Sequence, residues 1–148
     1  MRVLGLACGA LLLLFADTAW SGSSTRTYTT GQFVVNCTST GQVCAPAEQL
    51  TMAPPWKGTV TSVRYKTSPQ HCSALVLQVV RGGKVLATSG RIEAGEQTAE
   101  LSTSIHVPKG TSKLGFRAKG FLGGCNTGRV GSWGGKVTVT VKRRPSRH

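Results

Sequence analysis

The chain has 148 residues and a formal net charge of +13, from 18 Lys and Arg against 5 Asp and Glu. This length suits one domain and not two. So few carboxylates argue against catalysis by paired acids and against a calcium site. A surface this basic attracts anionic partners, although high charge also serves solubility alone.

The first 22 residues have the pattern of a secretory signal peptide. Arg2 is followed by an apolar run from Val3 to Phe15, which is too short for an ordinary transmembrane helix. Small residues place the cleavage site between positions 16 and 22. We therefore expect a secreted or extracytoplasmic protein with one domain over residues 23–142, a basic tail over residues 143–148 and no transmembrane span after processing.

Four cysteines follow the signal segment, namely Cys37, Cys44, Cys72 and Cys125. An even number in an exported chain predicts two disulfides, and three pairings are possible. We favour Cys37–Cys44, which closes a small loop, and Cys72–Cys125, which would hold a glycine-rich loop against the most apolar strand. No metal site is expected, because no CxxC occurs and His71 beside Cys72 is a lone adjacent pair.

The first third of the chain predicts two strands. Residues 21–30 are rich in Ser, Thr and Gly and predict a mobile lead-in, followed by a strand from Gln32 to Cys37. Asn36 begins an N-glycosylation sequon, which matters only in a eukaryotic secretory pathway. The segment from Gln49 to Met52 can pair briefly, but the prolines around it argue against a central strand.

The middle of the chain alternates apolar and polar residues, which is typical of strands with one buried face. Strands are predicted from Gly58 to Thr67, Ser73 to Arg81, Lys84 to Ser89 and Thr98 to Val107. The Gly82-Gly83 pair predicts a tight hairpin, because both central residues of such a turn need positive φ. The side chains expected to face the core include Val63, Tyr65, Leu75, Leu77, Val79, Ala99, Leu101, Thr103, Ile105 and Val107.

The last third consists of two alternating segments around a long glycine-rich loop. The segments run from Thr111 to Lys119 and from Lys136 to Lys142, and the loop runs from Gly120 to Gly135. Seven or eight strands without helical periodicity predict an all-β fold, a single antiparallel β-sandwich. A jelly roll is expected first, with an immunoglobulin-like sandwich as the alternative. In layout, Gly58 to Val141 resembles non-catalytic bacterial jelly-roll modules.

Two groups of residues are candidates for ligand binding. Aromatic and polar side chains of the glycine-rich loop could form a platform for sugars, and the opposing hypothesis places its tryptophan in the core. Basic side chains on two strands could form one patch. The loop candidates are Phe121, Asn126, Arg129 and Trp133, and the patch candidates are Arg64, Lys66, Lys113, Arg117 and Lys119.

Catalysis is not expected. No aspartate remains after removal of the signal segment and no GxSxG occurs, so a serine triad has no basis.

By elimination we expect a non-catalytic binding module, without a cofactor, for cell-surface or matrix glycans or other anionic polymers. The alternatives are a structural or interaction domain of the cell envelope and, less expected, a secreted hydrolase using Glu93 and Glu96. Nucleic acid is not an expected partner, because aromatic residues are sparse among the basic ones. The sequence does not indicate the oligomeric state.

Overall fold

A computed structural model describes residues 24–36, 43–44, 47–69, 71–123 and 132–145. These residues form eight strands and no helix, which confirms the predicted all-β class. Accordingly, no helix among them is long and apolar enough to cross a membrane. The strands are β1 Thr25–Asn36, β2 Glu48–Met52, β3 Gly58–Thr67, β4 Leu75–Arg81, β5 Lys84–Thr88, β6 Thr98–Val107, β7 Ser112–Gly120 and β8 Ser132–Arg143.

The strands form two four-stranded antiparallel sheets that pack as a sandwich. The first sheet has the order β1-β8-β3-β6, and the second has the order β2-β7-β4-β5. Alternate residues of each strand turn inward and form one core. The inward-facing residues predicted from the alternation are buried or half-buried, and they include Val63, Leu77, Leu101, Leu114, Phe116, Val137, Val139 and Val141.

The hairpin between β4 and β5 confirms the prediction from the paired glycines. Gly82 and Gly83 have φ values of 54° and 80°, and Arg81 pairs with Lys84 across the turn. Both central residues of this two-residue turn require positive φ, which glycine adopts without steric strain.

Two strands begin several residues before their predicted starts, and most of the other boundaries differ by one or two residues. β1 begins at Thr25, because residues 25–29 pair with residues 138–142 of β8, so the predicted mobile lead-in is wrong there. The threonines of this segment suit a pleated sheet better than a loop. β8 begins at Ser132, and the glycine-rich loop is therefore shorter than predicted.

Gly134 and Gly135 lie inside β8, where neighbouring backbones approach closely. β8 is a central strand between β1 and β3. A Cβ on Gly134 would overlap the carbonyl oxygen of Phe33, and a Cβ on Gly135 would overlap that of Lys66. These glycines therefore permit close backbone approach and do not form a loop.

The structure describes two of the four cysteines that follow the signal segment. Cys44 and Cys72 are each disulfide-bonded, and Cys44 is fully buried. Cys37 and Cys125 lie outside the described residues, so the predicted pairing of the four cysteines stays a prediction.

Candidate functional site

The predicted platform on the glycine-rich loop is not supported at Trp133. This side chain is only 3% exposed and belongs to the hydrophobic core. Its ring meets Phe33 edge-on, with centroids 5.1 Å apart, and Tyr65 at 5.9 Å. As an inward-facing residue of β8, Trp133 is a packing residue, and the prediction that it contacts a ligand is wrong.

The other loop candidates give no platform either. Phe121 is half-buried, and the guanidinium carbon of Arg91 lies 4.7 Å from the centroid of its ring. Asn126 and Arg129 lie outside the described residues. Near the same loop, the hydroxyl of Tyr65 donates to the carbonyl oxygen of Gly134 at 2.8 Å, and burial raises the pKa of Tyr65 well above its usual range.

The predicted basic patch divides between the two faces of the molecule. Lys113, Arg117 and Lys119 alternate with buried residues of β7 and face outward from the second sheet. Arg64 and Lys66 do the same on β3, in the first sheet. The prediction of one patch is therefore wrong, because β3 and β7 belong to different sheets and their outer faces point in opposite directions.

The two groups of cations also differ in their acidic neighbours. Lys66 forms an ion pair with Glu96 at 2.9 Å, and Arg64 lies opposite Glu100 in the strand register. By contrast, the ion pairs found among the described residues do not include Lys113, Arg117 or Lys119. Within the described part of the chain, no ion pair neutralises these three cations of β7.

A depression of about 490 Å³ lies on the outer face of the second sheet, among these cations. Its centre is Gly115, where Val80 and Gln49 converge. A Cβ at this position would lie 2.8 Å from a methyl carbon of Val80 and 2.9 Å from the amide nitrogen of Gln49. We call it the cationic depression, and it is lined by Ala47, Gln49, Val80, Arg81, Gly82, Gly83, Lys113, Gly115 and Arg117.

The register of β7 sets the spacing of the charges around the cationic depression. Lys113 and Arg117 each lie two residues from Gly115, or about 7 Å along the strand. Arg117 donates through Nε to the side chain of Gln78 at 2.8 Å, which fixes the direction of its guanidinium group. An oxyanion between the two cations would thus be attracted by both and accept hydrogen bonds from Arg117.

Arg81 adds a third positive charge at the edge of the cationic depression. Its Nη1 donates to the main-chain oxygen of His106 at 3.1 Å. Its Nε and Nη2 are shielded and have no hydrogen-bond acceptor in the described part of the chain. The residues that line the depression include no carboxylate, so its charged side chains are all basic.

Sequence reasoning missed Arg81, Gln49 and Gly115. A glycine inside an alternating strand often marks a close approach of backbone or ligand, so Gly115 between Lys113 and Arg117 was a usable signal. Arg81 and Gln49 join the site only through the pairing of β2, β7 and β4, which the sequence does not specify.

The groups considered for catalysis and for metal binding lie apart from the cationic depression. Glu93 pairs with Arg91 at 2.7 Å, and Glu96 pairs with Lys66. Each carboxylate is thus held by a different, exposed cation. Among the residues that the structure describes, no three His, Cys, Asp or Glu side chains are placed to share a metal ion.

No protein-family model and no curated protein matches the chain. Among solved structures, one described as "Structure of infectious bursal disease virus Gx strain" is similar to it at 11% identity and a TM-score of 0.44. The match covers 99% of this chain and 39% of that chain. A similarity of this level carries no argument about fold or function.

Proposed function

We propose that this protein is a secreted, non-catalytic binding module for anionic polymers, cell-surface and matrix glycans with acidic or sulfated groups among them. The observation that carries the proposal is the cationic depression. Lys113, Arg117 and Arg81 surround it, and none of them belongs to an ion pair in the part of the chain that the structure describes. Anions are therefore attracted there without having to displace a carboxylate from these cations.

A polymer suits this surface better than a single small anion. Lys113, Arg117 and Lys119 follow one another on the outer face of β7, with about 7 Å between alternate residues. A chain with repeated negative charges can meet several of these cations at once. Because most of the contacts are exposed, we expect them to weaken as salt is added.

The fold assignment within this proposal is a jelly roll. Strand pairs β1–β8, β2–β7, β3–β6 and β4–β5 are all hydrogen-bonded, as in one long hairpin rolled into two sheets. This pairing supports a jelly roll over an immunoglobulin-like sandwich, in which the first two strands are neighbours in one sheet. The proposal includes the pairing Cys37–Cys44 and Cys72–Cys125, which peptide mapping of the unreduced protein would test.

The proposed function is tested by comparing dextran sulfate with uncharged dextran, because the two polymers share a sugar backbone and differ in charge. Titration calorimetry in low salt should show binding of dextran sulfate alone, with affinity falling as NaCl is added. The double variant Lys113→Gln and Arg117→Gln should bind about tenfold more weakly, since two exposed ion pairs together contribute about 1.4 kcal/mol.

A matched control removes two charges from the opposite face of the sandwich. Arg64 on β3 and Lys136 on β8 are exposed on the first sheet. Arg64→Gln with Lys136→Gln therefore lowers the net charge equally but leaves the cationic depression intact. If both double variants lose the same amount of affinity for dextran sulfate, net charge alone drives binding and the cationic depression is rejected as the site. If the parent binds neither polymer, the binding function is wrong, and the envelope structural domain becomes the better hypothesis.

A further inference from the structure

Positive charge is concentrated at one end of the sandwich, where β8 finishes. The register places Gly58 opposite both Val107 and Arg143 at this end. Main-chain hydrogen bonds join the end of β8 to its neighbours there. The amide of Arg143 donates to the carbonyl oxygen of Ser24 at 2.7 Å, and the amide of Arg144 donates to that of Lys57 at 3.0 Å. The segments that close this end of the fold are therefore fixed relative to one another.

Six exposed cations occupy this surface, which we call the basic end. The end of β8 supplies three of them, and the others come from the loop before β3, the hairpin after β4 and the turn after β6. They are Lys57, Lys84, Lys109, Lys142, Arg143 and Arg144.

The four glutamates, all of which lie in the described ranges, are remote from the basic end. Glu48 lies four residues from Met52 on β2, or about 13 Å from this end. Glu100 lies opposite Arg64, and Glu93 and Glu96 follow β5 at the other end of the sandwich. None of the four glutamates, all of which the structure describes, neutralises the basic end.

The basic end is continuous with the cationic depression. The hairpin after β4 provides Gly82 and Gly83 to the wall of the depression and Lys84 to the basic end. Arg81 ties this hairpin to the first sheet through its hydrogen bond to the His106 carbonyl oxygen. A positive surface thus runs from the end of the sandwich onto the outer face of the second sheet, and none of the glutamates interrupts it.

We propose that the basic end and the cationic depression form one binding site for a linear polyanion, which passes over the end of the sandwich and continues along β7. This inference rests on the proposed function and adds the length and path of the ligand. From Arg117 to Lys113 the path covers about 13 Å, and crossing between the sheets adds about 10 Å. A short oligomer can fill the depression and contact Lys84, which pairs with Arg81, but cannot extend to Lys142 and Arg143 on the first sheet.

A linear polymer fits this arrangement better than an anionic membrane. The two surfaces meet at an angle, one on the end of the sandwich and the other on the face of a sheet. A flat bilayer can contact either surface but not both together, whereas a flexible chain can bend around the hairpin.

The test uses heparin oligosaccharides of increasing length, from the tetrasaccharide upward, with the affinity of each measured by calorimetry in low salt. For the parent, affinity should rise with length until both surfaces are covered and then level off. Lys142→Gln with Arg143→Gln should bind long chains about tenfold more weakly and bind the tetrasaccharide as the parent does. Arg64→Gln with Lys136→Gln is the control of equal charge, and circular dichroism confirms that each variant is folded.

The outcomes separate the inference from the proposed function. If the Lys142→Gln, Arg143→Gln variant matches the control at every length while Lys113→Gln with Arg117→Gln weakens binding, the shared site is wrong and the proposed function stands. If no oligosaccharide binds, both are wrong. If the basic-end variant loses binding to phosphatidylserine vesicles and keeps full affinity for long oligosaccharides, the basic end contacts membranes and the shared polymer site is rejected.

Discussion

Replacement of Trp133 by alanine should strongly destabilise the protein, because its indole ring packs between Phe33 and Tyr65 in the core. A tryptophan side chain buries about 150–250 Å², and at about 25 cal/mol per Å² this burial contributes about 4–6 kcal/mol. The two edge-on ring contacts contribute a further ~0.5–1.5 kcal/mol each.

An unpaired donor on the Trp133 side chain reduces the loss of stability expected for Trp133→Ala. The indole Nε1 is buried without a hydrogen-bond acceptor among the described residues, and an unpaired buried donor destabilises the native state by about 1–3 kcal/mol. Removing the ring removes this penalty as well. Areas taken relative to an extended chain also overstate the burial, by about 10–40%. We therefore expect Trp133→Ala to lower the free energy of unfolding by about 3–5 kcal/mol, within the range for such truncations. Trp133→Phe should lower it by about 1–2 kcal/mol, since it keeps one ring and loses the unpaired N–H.

Urea unfolding followed by far-ultraviolet circular dichroism, with the disulfides intact, measures both changes. A loss below about 1 kcal/mol for Trp133→Ala, with an unchanged denaturant slope, would refute the packing argument. The folded Trp133→Phe variant should bind dextran sulfate as the parent does, because the ring is remote from the cationic depression. Weaker binding by this variant would restore the ligand-platform hypothesis.

Three further predictions concern the glycines, one buried hydroxyl and one histidine. Gly135→Ala should lower stability by more than about 3 kcal/mol, since its φ is 147° and the new methyl group would overlap a main-chain oxygen of β3. Gly90→Ala, which meets no atom within 4 Å, should be neutral or slightly stabilising in the same urea titration. Tyr65→Phe should lose only about 1 kcal/mol, because the carbonyl oxygen of Gly134 keeps a second donor. Burial lowers the pKa of His71, so the unfolded chain takes up its proton at higher pH than the native protein does. The free energy of unfolding should therefore fall as the pH drops through about 6.5. His71→Gln should make this pH dependence less steep, and an unchanged pH dependence would show that His71 is not its source.

Most of the strands could be predicted from the sequence, because they alternate apolar and polar residues; the first half of β1 and the start of β8 lack this pattern. β3 and β6 have the predicted bounds, and the paired glycines identified the hairpin that follows β4. Alternation is a local property of the chain, since it needs only one buried and one exposed face.

The arrangement of the strands could not be read in this way. Arg64 and Lys113 carry the same charge on similar strands, and only the sheet order places them on opposite faces. For the same reason, the cationic depression depends on contacts between residues far apart in the sequence. Trp133 was misassigned because glycines usually indicate a loop, whereas Gly134 and Gly135 permit close packing between strands.

Positive charge is distributed unevenly along the strands, because Glu93 and Glu96 form ion pairs with cations at the end opposite the basic end. The ten-residue strand β6 implies that the two ends are about 34 Å apart. This distance is several times the Debye length of about 8 Å at physiological ionic strength. In such salt, an approaching polyanion is attracted only by the charges of the nearer end, whereas in dilute buffer the uneven charge of the whole molecule can orient it before contact.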